Sequence, residues 1–252
     1  MYYNLDNLVA ARVDKDIYRD GDKSIKLFAP NYSKANVLNE ALVGARVEES
    51  TDLKIPKLHE LTRIDDRWGI VSDFIEGKSL AELMEEHPEK EDEYLSLFVD
   101  IQLEVLSKRV PLLGRIKDKF RRKLTESNML DENTRFELLQ RLDGMKDHYK
   151  LCHGDFNPSN IIITENGDHY IIDWSHATQG HASADSARTF LIFSIQGRED
   201  LANKYLNIFS YKSNISIKNI QRWIPIVAAT QLMKEQPNQE FLKRWIDVVD
   251  FV

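Results

Sequence analysis

The feature that most constrains the fold of this chain is a change of hydrophobic periodicity near residue 75. Before that point the apolar residues come in short bursts between turn signals, a pattern that is typical of β-strands. Such bursts occupy residues 8–13, 24–28 and 68–75. Residues 33–49 are the exception, because their apolar residues recur at roughly helical spacing and predict one helix.

After Gly77 the pattern is mostly helical. Ser79 followed by Glu82 forms a capping box that opens a helix ending near His87-Pro88. Further helices are predicted at residues 91–109, 131–146, 183–196, 198–210, 216–234 and 238–250. One β-island interrupts them, where residues 160–164 and 169–173 flank Asn166-Gly167, the strongest short hairpin signal.

These patterns predict an α+β fold with two lobes. The first, residues 1–75, is small and β-rich, and the second, residues 76–252, is larger and mostly helical.

Composition excludes several classes of protein. With 42% hydrophobic and 30% charged residues, the chain has the balance of an ordinary globular protein. The single cysteine, Cys152, excludes an internal disulfide framework and a site built from several cysteines. The sequence shows no secretory signal and no apolar stretch of about 20 residues, so we expect a cytoplasmic protein without a membrane partner. A net charge of −7 argues against a nucleic-acid partner.

The stretch His153–Asn160, followed by Ile171-Ile172-Asp173-Trp174, carries the most chemistry. Asp155 and Asn160 share one loop, and the tight hairpin is expected to fold Asp173 back towards it. Magnesium prefers oxygen ligands and binds through one or two protein groups together with substrate phosphates, which suits Asn160 and Asp173. Asp155 could accept a proton from a hydroxyl nucleophile.

This motif, His-Gly-Asp with an asparagine five residues after the aspartate and a later Ile-Asp-Trp, resembles the aminoglycoside phosphotransferase and choline kinase-like family, a branch of the protein kinase-like fold. The resemblance extends over roughly residues 8–190. It implies that the lobe of residues 1–75 binds the nucleotide and that the lobe of residues 76–252 carries the catalytic loop and the substrate site. It implies that Lys26 contacts the nucleotide phosphates and that Glu40 pairs with this lysine. It also implies a hinge in which the backbone of Asp73 and Ile75 reads the adenine edge, with Phe74 nearby.

The resemblance implies a phosphotransferase that moves the γ-phosphoryl group of ATP or GTP to a hydroxyl group of a small molecule. Mg²⁺ would bind to Asn160 and Asp173, and Asp155 would orient and deprotonate the acceptor. The expected partners are a nucleotide and a small-molecule substrate, and the expected state is a monomer or a homodimer. Aminoglycosides, choline or ethanolamine, amino-alcohols, sugars and macrolides all remain open as acceptors.

The first hairpin departs from the family pattern. Its turn, Val13–Ile17, has no glycine and carries Asp14 and Asp16, which would repel a triphosphate unless Lys15 or a metal compensates. This departure motivates a second hypothesis, a weak or inactive nucleotide-binding pseudokinase that acts as a regulatory module. A protein kinase is disfavoured, because the chain has no recognisable Ala-Pro-Glu segment.

Four features keep a structural alternative beside a functional one. The basic run Arg115–Lys123 is either a solvated helix face or an anion-binding patch, and the acidic run Glu85–Glu93 is either a solvated turn or an attractor of cationic substrates. His153 is interpreted as a structural residue that hydrogen-bonds backbone near Asp173. Asp185 is interpreted as an anchor for the catalytic loop.

Overall fold

The computed structural model describes residues 3–232 and 238–247. Two compact units are formed, and neither is continuous in sequence. One unit comprises the chain up to Pro88 together with Pro158–His176, and the other comprises Glu89–Asn157 and the chain from Ala177 onward. The predicted α+β class, with a smaller sheet-containing part and a larger helical part, is confirmed. The predicted lobe boundary at residue 75 stays a prediction.

The first unit contains an antiparallel sheet of order β1-β2-β3-β5-β4. Its strands are β1 (Leu8–Ala11), β2 (Lys15–Asp20), β3 (Lys23–Phe28), β4 (Leu58–Ile64) and β5 (Arg67–Asp73). Helix α1 (Lys34–Ser50) packs on one face of this sheet, where Phe28, Val37, Ala41 and Ile70 form a buried cluster. Side chains alternate along a strand, so Lys26 lies on the same face as Phe28 and opposite to the buried Ile25 and Leu27.

The first unit also contains a second, small sheet of order β6-β8-β9. Its members are β6 (Lys78–Ser79), β8 (Ile161–Ile163) and β9 (His169–Ile171), with helix α2 (Leu80–Glu86) following β6 directly. The predicted capping box is confirmed: the Ser79 side chain accepts from the Glu82 N–H while the Glu82 carboxylate accepts from the Ser79 N–H. The predicted hairpin is also confirmed, although Asn160 belongs to a short 3-10 turn rather than to the strand.

The second unit is mainly helical. Its helices are α3 (Glu91–Ser107), α4 (Ile116–Glu126), α5 (Glu132–Gly144), α6 (Ala182–Ile195), α7 (Glu199–Ser213), α8 (Ile217–Gln221), α9 (Ile224–Leu232) and α10 (Gln239–Ile246). Two strands, β7 (Lys150–Cys152) and β10 (Thr178–Gly180), pair antiparallel beside them. Aromatic rings fill its core: Phe98 lies 4.8 Å from Phe156 and 5.9 Å from Tyr205 between ring centroids.

Most of the predicted helices are confirmed to within a few residues, but the single helix at 216–234 is wrong. The structure has two helices there, α8 and α9, over the residues that it describes. Pro225 has no N–H to donate to the carbonyl of Gln221, so a continuous helix cannot run through this point. Residues 233, 234 and 248–250, which the two C-terminal predictions included, lie outside the described residues.

The basic run Arg115–Lys123 forms most of α4, in agreement with its interpretation as a helix face. Ile116, Phe120 and Leu124 are buried at helical spacing, and the basic residues occupy the remaining sides. Several of the cations are already paired, Lys117 with Asp147 and Arg121 with Asp143. The run is therefore a charged helix surface that is partly neutralised by its own neighbours.

Candidate active site

An ion pair joins the sheet of the first unit to its helix. The Nζ of Lys26, in the middle of β3, lies 2.6 Å from Oε1 of Glu40 on α1. Glu40 stands beside Val37 and Ala41, the residues that seat α1 on the sheet, so the packing of the helix delivers the carboxylate to the lysine. Burial opposes the charge of Lys26, but Asp173 and Glu40 outweigh it and raise the pKa of this lysine above its usual value.

The same lysine contacts Asp173, which follows strand β9. The distance from Lys26 Nζ to Asp173 Oδ1 is 3.3 Å, and Ser175 donates its hydroxyl to the same oxygen at 3.1 Å. Asp173 has a left-handed backbone with φ of 60°. The turn is held by Trp174, a buried residue whose indole N–H donates to the carbonyl of Ile171 at 3.0 Å. Trp174 is thus a buried packing residue that directly follows Asp173.

Asn160, the second predicted metal ligand, lies beside this turn. Its backbone carbonyl accepts a hydrogen bond from the N–H of Ile172, the residue before Asp173, at 3.0 Å. The tight β8–β9 hairpin produces this arrangement, because it returns the chain from Asn160 to Asp173 over a short distance. Carboxylate and amide oxygens are the hard donors that Mg²⁺ prefers, and the chemistry of this pair therefore fits that ion.

The predicted hinge lies at the end of β5. The N–H of Asp73 donates to the carbonyl of Lys57 and the N–H of Phe74 to that of Asp22, whereas the Ile75 N–H makes no hydrogen bond within the described part of the chain. Burial acts against the charge of the Asp73 carboxylate, but hydrogen bonds from His59 and from the Lys57 N–H hold its pKa below the usual range. The Ile75 amide is thus available to a ligand.

Asp155 belongs to the second unit, where it is held by partners that sequence reasoning missed. A guanidinium nitrogen of Arg188 lies 2.9 Å from Asp155 Oδ1, and the Asn157 amide donates to the Asp155 carbonyl at 2.9 Å. The signal that could have revealed Arg188 is its position three residues after Asp185, on the same side of α6. The guanidinium and the amide thus fix the orientation of the Asp155 carboxylate.

The loop that carries Asp155 is anchored from beneath by Asp185, as predicted. The N–H of Gly154 donates to Asp185 Oδ1 at 2.7 Å, and Gln102 donates to Oδ2 of the same carboxylate at 3.3 Å. Tyr205 donates in turn to the Gln102 carbonyl oxygen at 2.6 Å. Burial raises the pKa of Asp185, which is 1% exposed, while the hydrogen bonds from Gly154 and Gln102 act in the opposite sense.

Two further residues near this loop are structural. The Nδ1 of His153, a buried residue, accepts from the N–H of Asp155 at 3.3 Å, whereas the predicted bond to backbone near Asp173 stays a prediction. Cys152 is fully buried, and burial raises the pKa of its thiol, as expected for a small apolar residue rather than a nucleophile.

Comparison with known proteins shows to which family the chain belongs. The sequence profile of the phosphotransferase enzyme family matches residues 11–213. The chain belongs to the phosphotransferase enzyme family. The prediction of a phosphotransferase enzyme is thereby confirmed, and the predicted resemblance to the aminoglycoside phosphotransferases agrees with it. No curated protein matches the sequence.

Solved structures similar to this phosphotransferase share its fold at low sequence identity. A thermostable mutant of aminoglycoside phosphotransferase APH(4)-Ia, in a ternary complex with AMP-PNP and hygromycin B, has a TM-score of 0.72 and 14% identity over 96% of this chain and 91% of that one. Aminoglycoside-3'-phosphotransferase of type VIII has a TM-score of 0.65 and 13% identity, covering 91% and 93%. ADP-bound APH(2'')-Ib has 0.61 and 16%, covering 95% and 90%.

The structure therefore brings part of the predicted site together and leaves the other part in a separate unit. Lys26 contacts both Glu40 and Asp173, and the backbone carbonyl of Asn160 accepts a hydrogen bond from Ile172, the residue before Asp173. Asp155 is held by Arg188 in the second unit. Within the described residues of this phosphotransferase, no helix is both long and apolar enough to span a bilayer.

Proposed function

We propose that this phosphotransferase moves the γ-phosphoryl group of ATP or GTP to a hydroxyl group of a small molecule. The observation that carries the proposal is the contact of Lys26 with both Glu40, at 2.6 Å, and Asp173, at 3.3 Å. A lysine held between two carboxylates is positioned as a fixed cation, which is what binding the oxygens of a polyphosphate requires. Glu40 keeps this cation in place when the ligand arrives.

In the proposed reaction the acceptor hydroxyl loses its proton to Asp155 while its oxygen forms a bond to the γ-phosphorus. The bond from that phosphorus to the β–γ bridging oxygen breaks, and the nucleoside diphosphate leaves with the electron pair. Arg188 keeps the Asp155 carboxylate oriented until it accepts the proton. The anchor from Gly154 to Asp185 keeps the loop from moving under the reacting groups.

Asn160 and Asp173 would hold Mg²⁺, which neutralises charge on the phosphate oxygens when it is bound. The hinge residues are proposed to bind the base: the free Ile75 N–H would donate to the adenine or guanine edge, and the Asp73 carbonyl would accept from it. Phe74, whose ring is covered by the Arg19 guanidinium at 4.3 Å, would lie nearby.

The solved relatives support a small-molecule acceptor. One similar structure holds AMP-PNP and hygromycin B, and another holds ADP, so this fold accommodates a nucleotide with a hydroxyl-bearing antibiotic. We propose an acceptor of that general kind, a polar small molecule with a free hydroxyl. The predicted cytoplasmic location, and a monomeric or homodimeric state without nucleic acid, remain part of the proposal.

The decisive experiment measures ADP or GDP release over a panel of hydroxyl-bearing metabolites and antibiotics. For any accepted substrate, we expect Asp155→Asn to lower kcat by about 100- to 10,000-fold, the usual contribution of a general base. Asp118→Asn is the matched control, because Asp118 is an exposed residue on α4. Turnover by Asp155→Asn within a few-fold of wild type would exclude the assignment of the base.

The pseudokinase hypothesis is separated by a binding measurement on the same proteins. Calorimetric titration with Mg²⁺ and ATP or GTP that shows tight binding, together with no turnover over the whole panel, would favour the regulatory module over the enzyme. The absence of any nucleotide binding by wild-type protein would exclude both.

A further inference from the structure

The glycine-free first hairpin carries a charge arrangement that the sequence does not reveal. Asp16, one of its two carboxylates, is bound by Arg67 at 2.8 Å. Arg67 also donates to the carbonyls of Phe28 and Leu27, at 2.7 Å and 3.1 Å, and these bonds fix the guanidinium where β3 ends and β5 begins. The negative charge of Asp16 is therefore neutralised locally, and the repulsion expected from this turn is reduced.

Lys15, the residue between the two carboxylates, contacts the predicted metal ligand. Its Nζ lies 3.4 Å from Asp173 Oδ2, while Lys26 Nζ lies 3.3 Å from Oδ1 of the same carboxylate. The Lys15 side chain is only 18% exposed, so the contact is made in a partly desolvated setting. Asp173 thus has one lysine on each of its two oxygens.

The two lysines differ in the counter-charge that each keeps when the Asp173 carboxylate binds another group. Lys26 keeps Glu40 as a counter-charge at 2.6 Å. For Lys15, Asp173 is the only carboxylate within ion-pairing distance among the described residues. If the Asp173 oxygens are engaged by a bound metal–nucleotide complex, Lys15 becomes a partly buried ammonium group without a counter-charge, which is unfavourable unless a new anion approaches.

We infer that Lys15 is a second phosphate-binding cation, which exchanges Asp173 for an oxygen of the nucleotide polyphosphate. This inference rests on the proposed function and adds a binding residue to it. A flexible ammonium group can bind a phosphate as a point charge, so Lys15 does for this turn what close backbone amides do in a glycine-containing one.

Asp14 is the remaining carboxylate of the turn, and its effect on nucleotide binding should be opposite to that of Lys15. Asp14 is partly exposed, and its carboxylate has no hydrogen bond or ion pair within the described part of the chain. Its charge is nevertheless felt nearby, because it contributes, after burial, to raising the pKa of Tyr32. A phosphate that Lys15 draws to this turn would be repelled by Asp14, so removal of that charge should strengthen nucleotide binding.

The test is calorimetric titration of the full chain with Mg²⁺·ATP and, separately, with adenosine. We expect Lys15→Gln to weaken ATP binding by about 10- to 100-fold, the range of a charge-assisted hydrogen bond, with adenosine binding unchanged. Lys15→Arg should retain most of the affinity, and Asp14→Asn should increase it. Arg12→Gln is the matched control, because it removes the same charge from an exposed side chain of the same turn that has no partner in the described residues.

The sign of the change distinguishes the possible roles of Lys15. A lysine that only neutralises Asp173 competes with the metal, so its removal would leave ATP binding unchanged or strengthen it, and that result would overturn the inference. An equal loss for adenosine or for Arg12→Gln would also overturn it. If wild-type protein bound ATP and Lys15→Gln did not fold, the increase expected for Asp14→Asn would carry the test. Failure of wild-type protein to bind any nucleotide would contradict the proposed function itself.

Discussion

At the scale of single residues, the ionised groups of the candidate site are each held by a residue distant in sequence. Asp155 is held by Arg188, Lys26 by Glu40 and Asp73 by His59. Such contacts fix the position of each side chain, because a charge-assisted hydrogen bond favours one geometry. The site is therefore preorganised to the extent that these pairs persist when substrates bind.

His181 is a residue whose protonation is coupled to the fold. It is the N-cap of α6, and its Nδ1 accepts from the Ser183 N–H at 3.0 Å. Burial, together with the smaller effects of the neighbouring His148 and Lys150, lowers the pKa of His181 to about 4. The folded chain thus holds this ring neutral at a pH where the unfolded chain would begin to protonate it.

The stability that the neutral His181 ring contributes depends on pH. Because the folded-state pKa of His181 is below its unfolded value of about 6.5, the stabilisation is complete above pH 6.5 and is lost as the pH falls towards 4. We expect His181→Asn, which keeps a good N-cap but cannot titrate, to lose less stability between pH 7 and pH 5 than wild type. Urea unfolding at both pH values measures this. Equal losses in the two proteins would contradict the assignment.

At the scale of elements, close approach of backbones decides where glycine is required. A Cβ at Gly77 would lie 2.3 Å from the carbonyl oxygen of Ile163, so strand β6 can pair with β8 only if residue 77 has no side chain. Gly44, in the interior of α1, has open space around the same position. Residue 77 must therefore be glycine to avoid a clash, whereas residue 44 has room for a side chain.

We therefore expect opposite effects from the same substitution. Gly77→Ala should destabilise the protein by about 1–3 kcal/mol through overpacking against β8. Gly44→Ala should stabilise it by up to about 1 kcal/mol, because alanine restricts the unfolded chain and favours the helix. Denaturant unfolding midpoints of the two variants measure the difference. A Gly77→Ala protein as stable as wild type would contradict the close approach.

The acidic run also acquires a structural role at this scale. Glu91 pairs with Arg198 and Lys204, and Asp92 pairs with Lys204. These pairs join the start of α3 to residues at the start of α7 in the second unit. The part of the run in α3 is thus engaged in helix-to-helix contacts, which weakens the alternative that this part attracts a cationic substrate.

At the scale of the whole molecule, the first unit depends on a segment far along the chain. Residues 158–176 supply the strand that pairs with β6, and the Ile171 N–H donates to the carbonyl of Lys54 at 3.0 Å. The turn Trp174–His176 packs against α1. This unit is therefore assembled from two separate parts of the sequence.

We expect a chain that ends at residue 88 to fold incompletely. It would lack the partner strand of β6 and the turn that covers α1, and a small domain with part of its core missing has little stability to lose. Circular dichroism during thermal unfolding should show no cooperative transition for this fragment and a cooperative one for the full chain. A cooperative transition in the fragment would show that residues 158–176 are dispensable for this unit.

Much of the architecture could be predicted because its signals are local. The capping box at Ser79, the Asn166-Gly167 hairpin and helix α1 each depend on residues within one turn or one helix. The strand β4 was not predicted, because Leu58–Ile64 contains polar residues on both sides and its exposure alternates only between intermediate and exposed. An edge strand of this kind is stabilised by its neighbour rather than by its own composition.

Motif spacing along the chain is enough to predict the family, the α+β class and the candidate site residues at positions 26, 40, 155, 160 and 173. The folded structure is needed to show that Arg188 holds Asp155, that Arg67 neutralises Asp16 and that Lys15 reaches Asp173. These partners are 33, 51 and 158 residues apart. The reason is physical: an ion pair depends on a few ångströms between side-chain ends, and that distance exists only after strands and helices have packed.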